Sequence, residues 1–255
     1  MTQPNPQPSP EPNPRPNSSP NSLEEEPKGR RDFVKYSFFK VSPEWRQLPQ
    51  DQRERGKREF AEVIGEFSDR VTMASYSLVG TRGDVDLMLW KISPDLDAID
   101  QLMAQLNRTE LAGHLSMPHS YLAMTRRSPY VDQHQHGGQE GANTTMRIVG
   151  RKFLFIYPFV KTHDWYQLPL DERQRLMSEH FTIGHRYPDV KISTAYSFGL
   201  DDQEFVLGFE TDDPASFLDL VSDLRESKAR PYTERDTPIF TCVAKPLEAC
   251  LDNLG

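Results

Sequence analysis

From Arg31 onward the chain contains the same pattern twice. The segment RDFVKYSFFKVSPEWRQLPQDQRERGKREF, which starts at Arg31, returns 120 residues later as RKFLFIYPFVKTHDWYQLPLDERQRLMSEH without a gap. The same separation relates Tyr76-Ser77 to Tyr196-Ser197. A long repeat with only two copies indicates a duplicated domain and not a solenoid.

Each copy predicts the order strand, helix, strand, strand, helix, strand, which is the ferredoxin-like order. The predicted elements are strands 33–39, 72–79, 85–91 and 120–124 with helices from Asp51 and over 96–106, then strands 153–159, 191–198, 204–209 and 239–243 with helices from Asp171 and over 214–224. We therefore predict an α+β fold in which two tandem ferredoxin-like halves join their sheets into one β-barrel with external helices.

The composition divides the chain into four parts. Residues 1–29 are rich in Pro, Asn and Ser and predict a disordered tail. Residues 30–127 form the N-terminal half, the polar and Gly-rich residues 128–150 a mobile linker, and residues 151–255 the C-terminal half. We expect the last of these to carry the functional site.

Charge and cysteine content exclude several classes of function. A net charge of −8 argues against a nucleic-acid partner. Cys242 and Cys250 are too few for a disulfide framework or a zinc site and favour a reducing, cytoplasmic location. No apolar run predicts a membrane span or a signal peptide. GxGxxG, P-loop and GxSxG motifs are absent from the sequence.

The duplication makes one half a control for the other at a histidine. His180 stands where the first half has Phe60, on a helix face with Leu176, Met177, Phe181 and Gly184. A core histidine that bonds a backbone carbonyl would explain this position. The phenylalanine in the other copy shows that the fold does not need a histidine here, so a functional role stays open.

The strand before that helix differs in the same way. Tyr157 replaces Ser37 and Lys161 replaces Val41, and strand alternation places both on one face with Phe153, Phe155 and Phe159. Lys161 fits either a rim lysine that packs its stem on aromatic rings or a cation that meets a carboxylate in a cavity. Arg147 and Arg151 lie just upstream and could add to such a basic pocket.

Two further polar motifs predict little. His134 and His136 in HQHGG have no third ligand at a recognisable spacing, which argues against a metal site there. The turn Leu200–Asp202 is typical of a hairpin and not of a catalytic carboxylate pair.

A set of C-terminal motifs resembles the chlorite dismutase family of haem proteins. These motifs are YPFVK, WYQLP, RxxLMxEHxxIGxRYP, SFGLDDQEFVLGFETDD, DLR and ARPYTxRDTPxFT, and the resemblance covers residues 31 to 245. It implies the dimeric α/β-barrel fold, a haem or coproheme cofactor whose iron His180 ligates, and a homo-oligomer, commonly a pentamer.

Within that family the YPFVK segment resembles the coproheme decarboxylases, which use hydrogen peroxide to convert coproheme to haem b. The resemblance implies that Tyr157 forms a radical and that Lys161 lies on the propionate side. It places Trp165 near the proximal side of the haem. Arg147, Arg151 or Arg225 would complete a basic pocket for the carboxylates.

Two positions depart from the family pattern. Ile192 occupies the distal position where chlorite dismutases have arginine and the decarboxylases often have glutamine, which disfavours chlorite chemistry. Lys228 falls where a carboxylate usually bonds the proximal histidine, with Glu226 two residues away. The sequence leaves two main interpretations: a coproheme decarboxylase, or a haem- or porphyrin-binding carrier, sensor or weak peroxidase. A structural barrel without a cofactor is the third.

Overall fold

The first half has the predicted order of elements. The computed structural model describes residues 30–130 and 145–255. In the first half these residues form β1 (Phe33–Val41), α1 (Gln50–Glu66), β2 (Thr72–Ser77), β3 (Leu87–Ser93), α2 (Leu96–Leu106) and β4 (Leu115–Met124). Asp95 caps α2 by accepting a hydrogen bond from the Asp97 backbone, which fixes the helix start read from the sequence.

The second half repeats this order with three short additions. It consists of β5 (Phe153–Lys161), α3 (His163–Gln167), α4 (Leu170–Gly184), β6 (Lys191–Tyr196), β7 (Phe205–Thr211), α5 (Pro214–Arg225), β8 (Thr233–Arg235), β9 (Phe240–Ala244) and α6 (Leu247–Asp252). Gly199 has φ +72 in the turn after β6, a conformation that glycine adopts without strain. The sequence did not predict α3, β8 or α6, which are too short to show a period.

The two sheets join into one closed antiparallel ring. The order is β7-β6-β4-β1-β3-β2-β9-β5, and β5 pairs with β7 to close it. The joints between the halves are short: Met124 pairs with Tyr196, and Tyr76 and Ser77 pair with Ala244 and Val243. β8 pairs only with the end of β5.

The apolar residues separate into layers. One cluster lies inside the barrel and draws on strands of both halves, with Tyr36, Trp90 and Phe240 fully buried. A second cluster packs the outer face of the first sheet against its helices, and a third does the same for the second sheet. The outer face of the second sheet contains the candidate site.

Each half sends its C-terminal extension onto the other half. Cys250, Leu251 and Leu254, in and after α6, complete the helix–sheet core of the first half. Tyr130, which follows β4, packs on Trp165 in the second half. The boundary at residue 151 therefore separates the repeats in sequence, while the cores of the two halves share residues.

The predicted α+β barrel of two ferredoxin-like halves is confirmed. The predicted tail 1–29, and most of the predicted linker with His134 and His136, lie outside the described residues. The described end of the linker is anchored, since the backbone N–H groups of Val149 and Gly150 donate to Glu210. Among residues 30–130 and 145–255, no helix has the length and apolar character needed to cross a bilayer.

Candidate functional site

The outer face of β5 presents Tyr157 toward the helices of the second half. Phe155, Tyr157 and Phe209 belong to the cluster between this sheet and the helices α4 and α5. The Tyr157 ring stacks on Phe209 with centroids 5.6 Å apart and an interplanar angle of 16°. The alternation read from the sequence is thus confirmed, and Tyr157 is held in one orientation.

The phenol of Tyr157 is buried and bonds no other described residue. The side chain is 8% exposed. Burial raises the pKa of Tyr157 above its usual value, and the nearby Asp236 raises it further, while Arg225 and Arg230 oppose both effects. Tyr157 is therefore a neutral phenol at physiological pH, with charged groups close enough to influence its ionisation.

His180 lies on α4 and carries no charge at neutral pH. Burial, together with the positive charge of Lys161, lowers its pKa to about 4. Its surface is not fully closed, since the residue keeps partial exposure. Its ring nitrogens bond no other described residue. A neutral imidazole with an accessible lone pair is the form that ligates iron.

Lys161 is held at the end of β5 by an aromatic ring. Its ammonium lies 4.1 Å from the ring centroid of Trp165 and 5.4 Å from that of Phe159, both within cation–π range. Burial, opposed by the charge of Glu204 and aided by that of Arg230, lowers the pKa of Lys161 to about 8. The lysine is neither a freely solvated rim residue nor one with an ion-pair partner among the described residues.

Glu204 fixes the backbone at this end of the strand. It accepts hydrogen bonds from the Lys161 backbone N–H at 2.8 Å and from the Tyr166 hydroxyl at 2.6 Å. Burial, together with the bond to Glu204, raises the pKa of Tyr166. The carboxylate is thus engaged in holding the main chain, which leaves the Lys161 ammonium available for another anion.

A second cationic group adjoins Tyr157. Arg225, in the last turn of α5, and Arg230 each donate to Asp236 Oδ2 at 2.6 Å. Burial of Asp236 would raise its pKa, but the hydrogen bonds from Arg230 and Arg225 outweigh it and hold the pKa below the usual range. Two guanidinium groups on one carboxylate leave a net positive charge beside Tyr157.

Sequence reasoning identified Arg225 but missed Arg230 and Asp236. Both residues stand in the motif ARPYTxRDTPxFT, yet no spacing rule links them to Arg225, because three separate elements converge on them. The charge of Arg230 acts on Tyr157 and on Lys161, so it lies near both. This convergence was not readable from periodicity.

The remaining predicted site residues have different positions. Ile192, on β6, packs in the same cluster as Tyr157. Arg147 is exposed, and its neighbours Met146 and Ile148 pack toward the barrel interior, so its role stays a prediction. Arg151 pairs with Asp212 at 2.9 Å on the surface.

Glu179, the carboxylate next to His180 in the sequence, is paired with Lys228. Lys228 lies 3.5 Å from Glu179, the residue before His180, and its backbone N–H also donates to Glu179. Glu179 is therefore engaged with Lys228, and no described carboxylate bonds the imidazole. The imidazole lacks the carboxylate partner that increases its basicity toward a metal.

A separate cleft of about 450 Å³ opens at the seam between β2 and β9. Its lining includes Met73, Tyr76, Ile148 and Leu247 and contains none of the predicted site residues. The cleft is mostly apolar, and its ionisable lining residues are Tyr76 and Lys245. We assign the functional site by its chemistry to the outer face of the second sheet.

The residues on that face fit an iron porphyrin. His180 could supply a neutral nitrogen ligand, Phe155 and Ile192 apolar surface, and Lys161 with the two arginines positive charge for carboxylates. Among the described residues no cluster of three His, Cys, Asp or Glu side chains could hold a bare metal ion.

Comparisons with known proteins agree with this chemistry. The family model described as chlorite dismutase matches residues 53–245. A coproheme decarboxylase from Mycolicibacterium smegmatis is 31% identical over 215 residues, which cover 82% of this chain and 88% of the relative.

Solved structures show the same fold. A mutant chlorite dismutase from Candidatus Nitrospira defluvii has a TM-score of 0.81 at 24% identity, covering 88% of this chain and 95% of that one. A haem-binding protein from Thermus thermophilus has a TM-score of 0.74 at 24% identity, covering 88% and 94%. With most of its length matched by the family model, the chain belongs to the chlorite dismutase family.

Proposed function

We propose that this protein is a haem-dependent oxidoreductase that converts coproheme to haem b by oxidative decarboxylation with hydrogen peroxide. One observation carries the proposal. Tyr157, a buried phenol whose hydroxyl bonds no described residue, lies on the sheet face that packs against the helices of the second half. The charges of Arg225 and Arg230 act on Tyr157, and the charge of Lys161 acts on the neutral His180 of α4. The similarity to a coproheme decarboxylase at 31% identity supports the choice of reaction.

Four side chains would hold the substrate, and a fifth, Trp165, would position one of them. His180 would ligate the iron through its neutral imidazole, and Trp165 would keep the Lys161 ammonium in place by the 4.1 Å cation–π contact. Lys161, Arg225 and Arg230 would bind the carboxylates, since planar guanidinium groups match carboxylate geometry. These contacts would bring a propionate to Tyr157.

The bound iron porphyrin would supply oxidising equivalents in its reaction with peroxide. Tyr157 would give up its phenolic hydrogen atom and then take a hydrogen atom from the propionate. The propionate would lose carbon dioxide and one further electron and become a vinyl group. Each propionate thus yields a proton and two electrons, and peroxide takes up the two electrons, that proton and one further proton from solvent to give two waters.

A second function is favoured by Ile192. An apolar side chain at this position of β6 offers no hydrogen bond to a peroxide oxygen. A haem- or porphyrin-binding carrier, sensor or weak peroxidase would need His180 and the cations but not an efficient distal side. Chlorite dismutation is disfavoured for the same reason. A cytoplasmic location and a homo-oligomeric, pentameric assembly stay predictions.

The test is a single experiment on purified protein loaded with ferric coproporphyrin. Addition of peroxide, followed by mass spectrometry of the porphyrin, should show the loss of two carboxyl groups. Tyr157→Phe should keep the Soret band and abolish product, because the phenol is the hydrogen carrier. Bleaching of the porphyrin without decarboxylated product would establish the binding function instead.

Tyr187→Phe is the matched control. Tyr187 packs at the edge of the same cluster, and its hydroxyl donates to Asp223 at 2.8 Å. The substitution removes one phenol from the same region without touching Tyr157, so product formation should persist. If both substitutions abolish product equally, the assignment to Tyr157 is wrong.

A further inference from the structure

Residues 236–239 form the loop that connects β8 to β9 and carries Asp236. Arg225 ends a helix and Arg230 lies in a 3-10 turn, and Asp236 is the carboxylate that both guanidinium groups share. The path of this loop therefore decides where both cations lie relative to Tyr157. The residues that hold the loop are important for the site even if they lie far from it.

The first half contacts the end of this loop and the start of β9 through backbone carbonyls. Thr81 Oγ1 donates to the Thr241 carbonyl at 2.6 Å, and Arg82 Nη1 donates to the Ile239 carbonyl at 3.1 Å. The Arg82 guanidinium also lies 4.8 Å from the Phe240 ring centroid. Because carbonyls are the acceptors, these contacts fix the course of the main chain.

Arg82 is itself fixed within the first half. Its Nε and Nη2 donate to the two oxygens of Asp84 at 2.8 Å and 2.6 Å, a bidentate pair. His119 Nε2 lies 2.9 Å from Asp84 Oδ2, and the His119 ring packs edge-on to Phe240 at 5.1 Å. A bidentate carboxylate and a second polar partner restrict the guanidinium to one orientation.

We propose that Arg82, Asp84 and His119 are positioning residues for the carboxylate-binding arginines of the second half, acting through residues 236–239. The proposal rests on the proposed function, because it concerns the same site. It gives the first half, which lacks the counterparts of Tyr157 and His180, a part in the chemistry. Its turn between β2 and β3 sets the position of Asp236, and Asp236 sets that of Arg225 and Arg230.

The contacts also admit a simpler interpretation, in which Arg82 only packs the hairpin. The two interpretations differ in coupling. If Arg82 acts through Asp236, the effect of removing Arg82 on ligand affinity disappears once Asp236 has lost its hold on the arginines. If Arg82 only stabilises the fold, the two effects add.

The experiment is a double-mutant cycle with Arg82→Ala, Asp236→Asn and the double variant. The ligand is iron-free coproporphyrin, whose affinity is measured by fluorescence, so the readout does not depend on turnover. Each single variant should bind roughly tenfold more weakly, within the range of coupled pairs. The double variant should bind no more weakly than Asp236→Asn alone.

Hydrogen exchange in the ligand-free protein is the second measurement. Arg82→Ala should accelerate exchange of the backbone amides of residues 236–241, because it removes the bond to the Ile239 carbonyl. Arg82→Lys keeps a charge beside Asp84 but lacks the planar fork, so it should give a smaller change in the same direction.

Arg70→Ala is the matched control. Arg70 lies 5.5 Å from the Phe67 ring centroid, donates to Gln101 at 3.0 Å and pairs with Asp95 at 3.5 Å, all within the first half. The Arg70→Ala variant therefore loses a ring contact, a hydrogen bond and an ion pair, none of which involves residues 236–239. Exchange at residues 236–241 and porphyrin affinity should both be unchanged.

Unchanged exchange at residues 236–241 in Arg82→Ala would overturn the proposal, and so would additive effects in the cycle. Faster exchange with unchanged affinity would also overturn it, since the loop would then not position the arginines. Failure of the unmodified protein to bind porphyrin would refute the proposed function. The exchange result would still decide whether Arg82 holds the loop.

Discussion

The two halves place different side chains at the same point of the same sheet. Ser37 faces Leu89 and Lys35 faces Lys91 in the β1–β3 ladder, as Tyr157 faces Leu207 and Phe155 faces Phe209 in the β5–β7 ladder. Lys91 thus corresponds to Phe209, and Ser37 to Tyr157. The first half contains a buried lysine and serine where the second contains two stacked aromatic rings.

On this face of the first half, the two polar side chains Lys91 and Ser37 bond each other. Lys91 is fully buried, and its ammonium donates to Ser37 Oγ at 2.7 Å and lies 3.4 Å from Met103 Sδ. Tyr157 and His180 instead bond no other described residue. At these positions the first half therefore pairs its polar groups with each other, whereas the second half leaves the Tyr157 hydroxyl and the His180 ring nitrogens without a described partner.

The largest expected effect follows from His180→Phe, which installs the aromatic residue that the first half has as Phe60. Loss of an outer partner of a metal ligand typically costs 10–100-fold, so loss of the ligand should cost at least about 100-fold in affinity for ferric coproporphyrin. Absorbance titration measures this. Affinity for iron-free coproporphyrin should hardly change; an equal loss for both porphyrins would exclude iron ligation by His180.

The second prediction concerns the pH dependence of stability that the buried Lys91 causes in the first half. Burial lowers the pKa of Lys91 to about 7 from its usual value of 10.5, and the charge of Lys35 contributes to the same shift. The folded state therefore disfavours the charged form. The penalty is complete below pH 7, shrinks as pH rises, and vanishes above about pH 10.5, so stability rises with pH across this window.

Lys91→Met should remove this pH dependence and raise the free energy of unfolding by about 2 kcal/mol at pH 6, after allowance for the unpaired Ser37 hydroxyl. Urea unfolding at pH 6 and pH 9 measures both changes. Lys152→Met, at an exposed lysine on the second half, serves as control and should leave the pH dependence intact. Identical pH profiles for Lys91→Met and the unmodified protein would show that the charged form of Lys91 does not destabilise the folded state.

The smallest effect is expected for Lys161→Val, which installs the residue found at Val41. The variant should bind coproporphyrin about tenfold more weakly with or without iron, because one charge-assisted hydrogen bond to a carboxylate is lost. The expected loss of affinity in His180→Phe, in contrast, is confined to the porphyrin that contains iron. Fluorescence and absorbance titrations provide the comparison. A loss confined to the ferric porphyrin would contradict a role in carboxylate binding.

Much of the fold could be predicted because the repeat supplies its own check. The boundaries of α2 and α5 follow from capping residues and period, and the barrel follows from two copies of the ferredoxin-like order. His180 and Tyr157 were recognisable because the other half has Phe60 and Ser37 in their places. Each of these inferences uses only local pattern or the offset between copies.

The rest depended on contacts that no local pattern encodes. Asp236 joins Arg225 and Arg230 only because a helix end, a turn and a loop meet in space. Lys91 lies in a mostly apolar strand, and its spacing in the sequence does not show that its side chain is fully buried. Arg82 is read as a turn residue, and its bond to Ile239 spans the two halves.

The exchanged C-terminal extensions have a consequence for synthesis of the chain. Cys250, Leu251 and Leu254 belong to the core of the first half, although they follow all the strands of the second half in the sequence. A nascent first half emerging from the ribosome therefore lacks part of its own interior and exposes apolar surface near α1. The core of the first half is therefore completed only after the second half has been made, so we expect the folding of the two halves to be coupled.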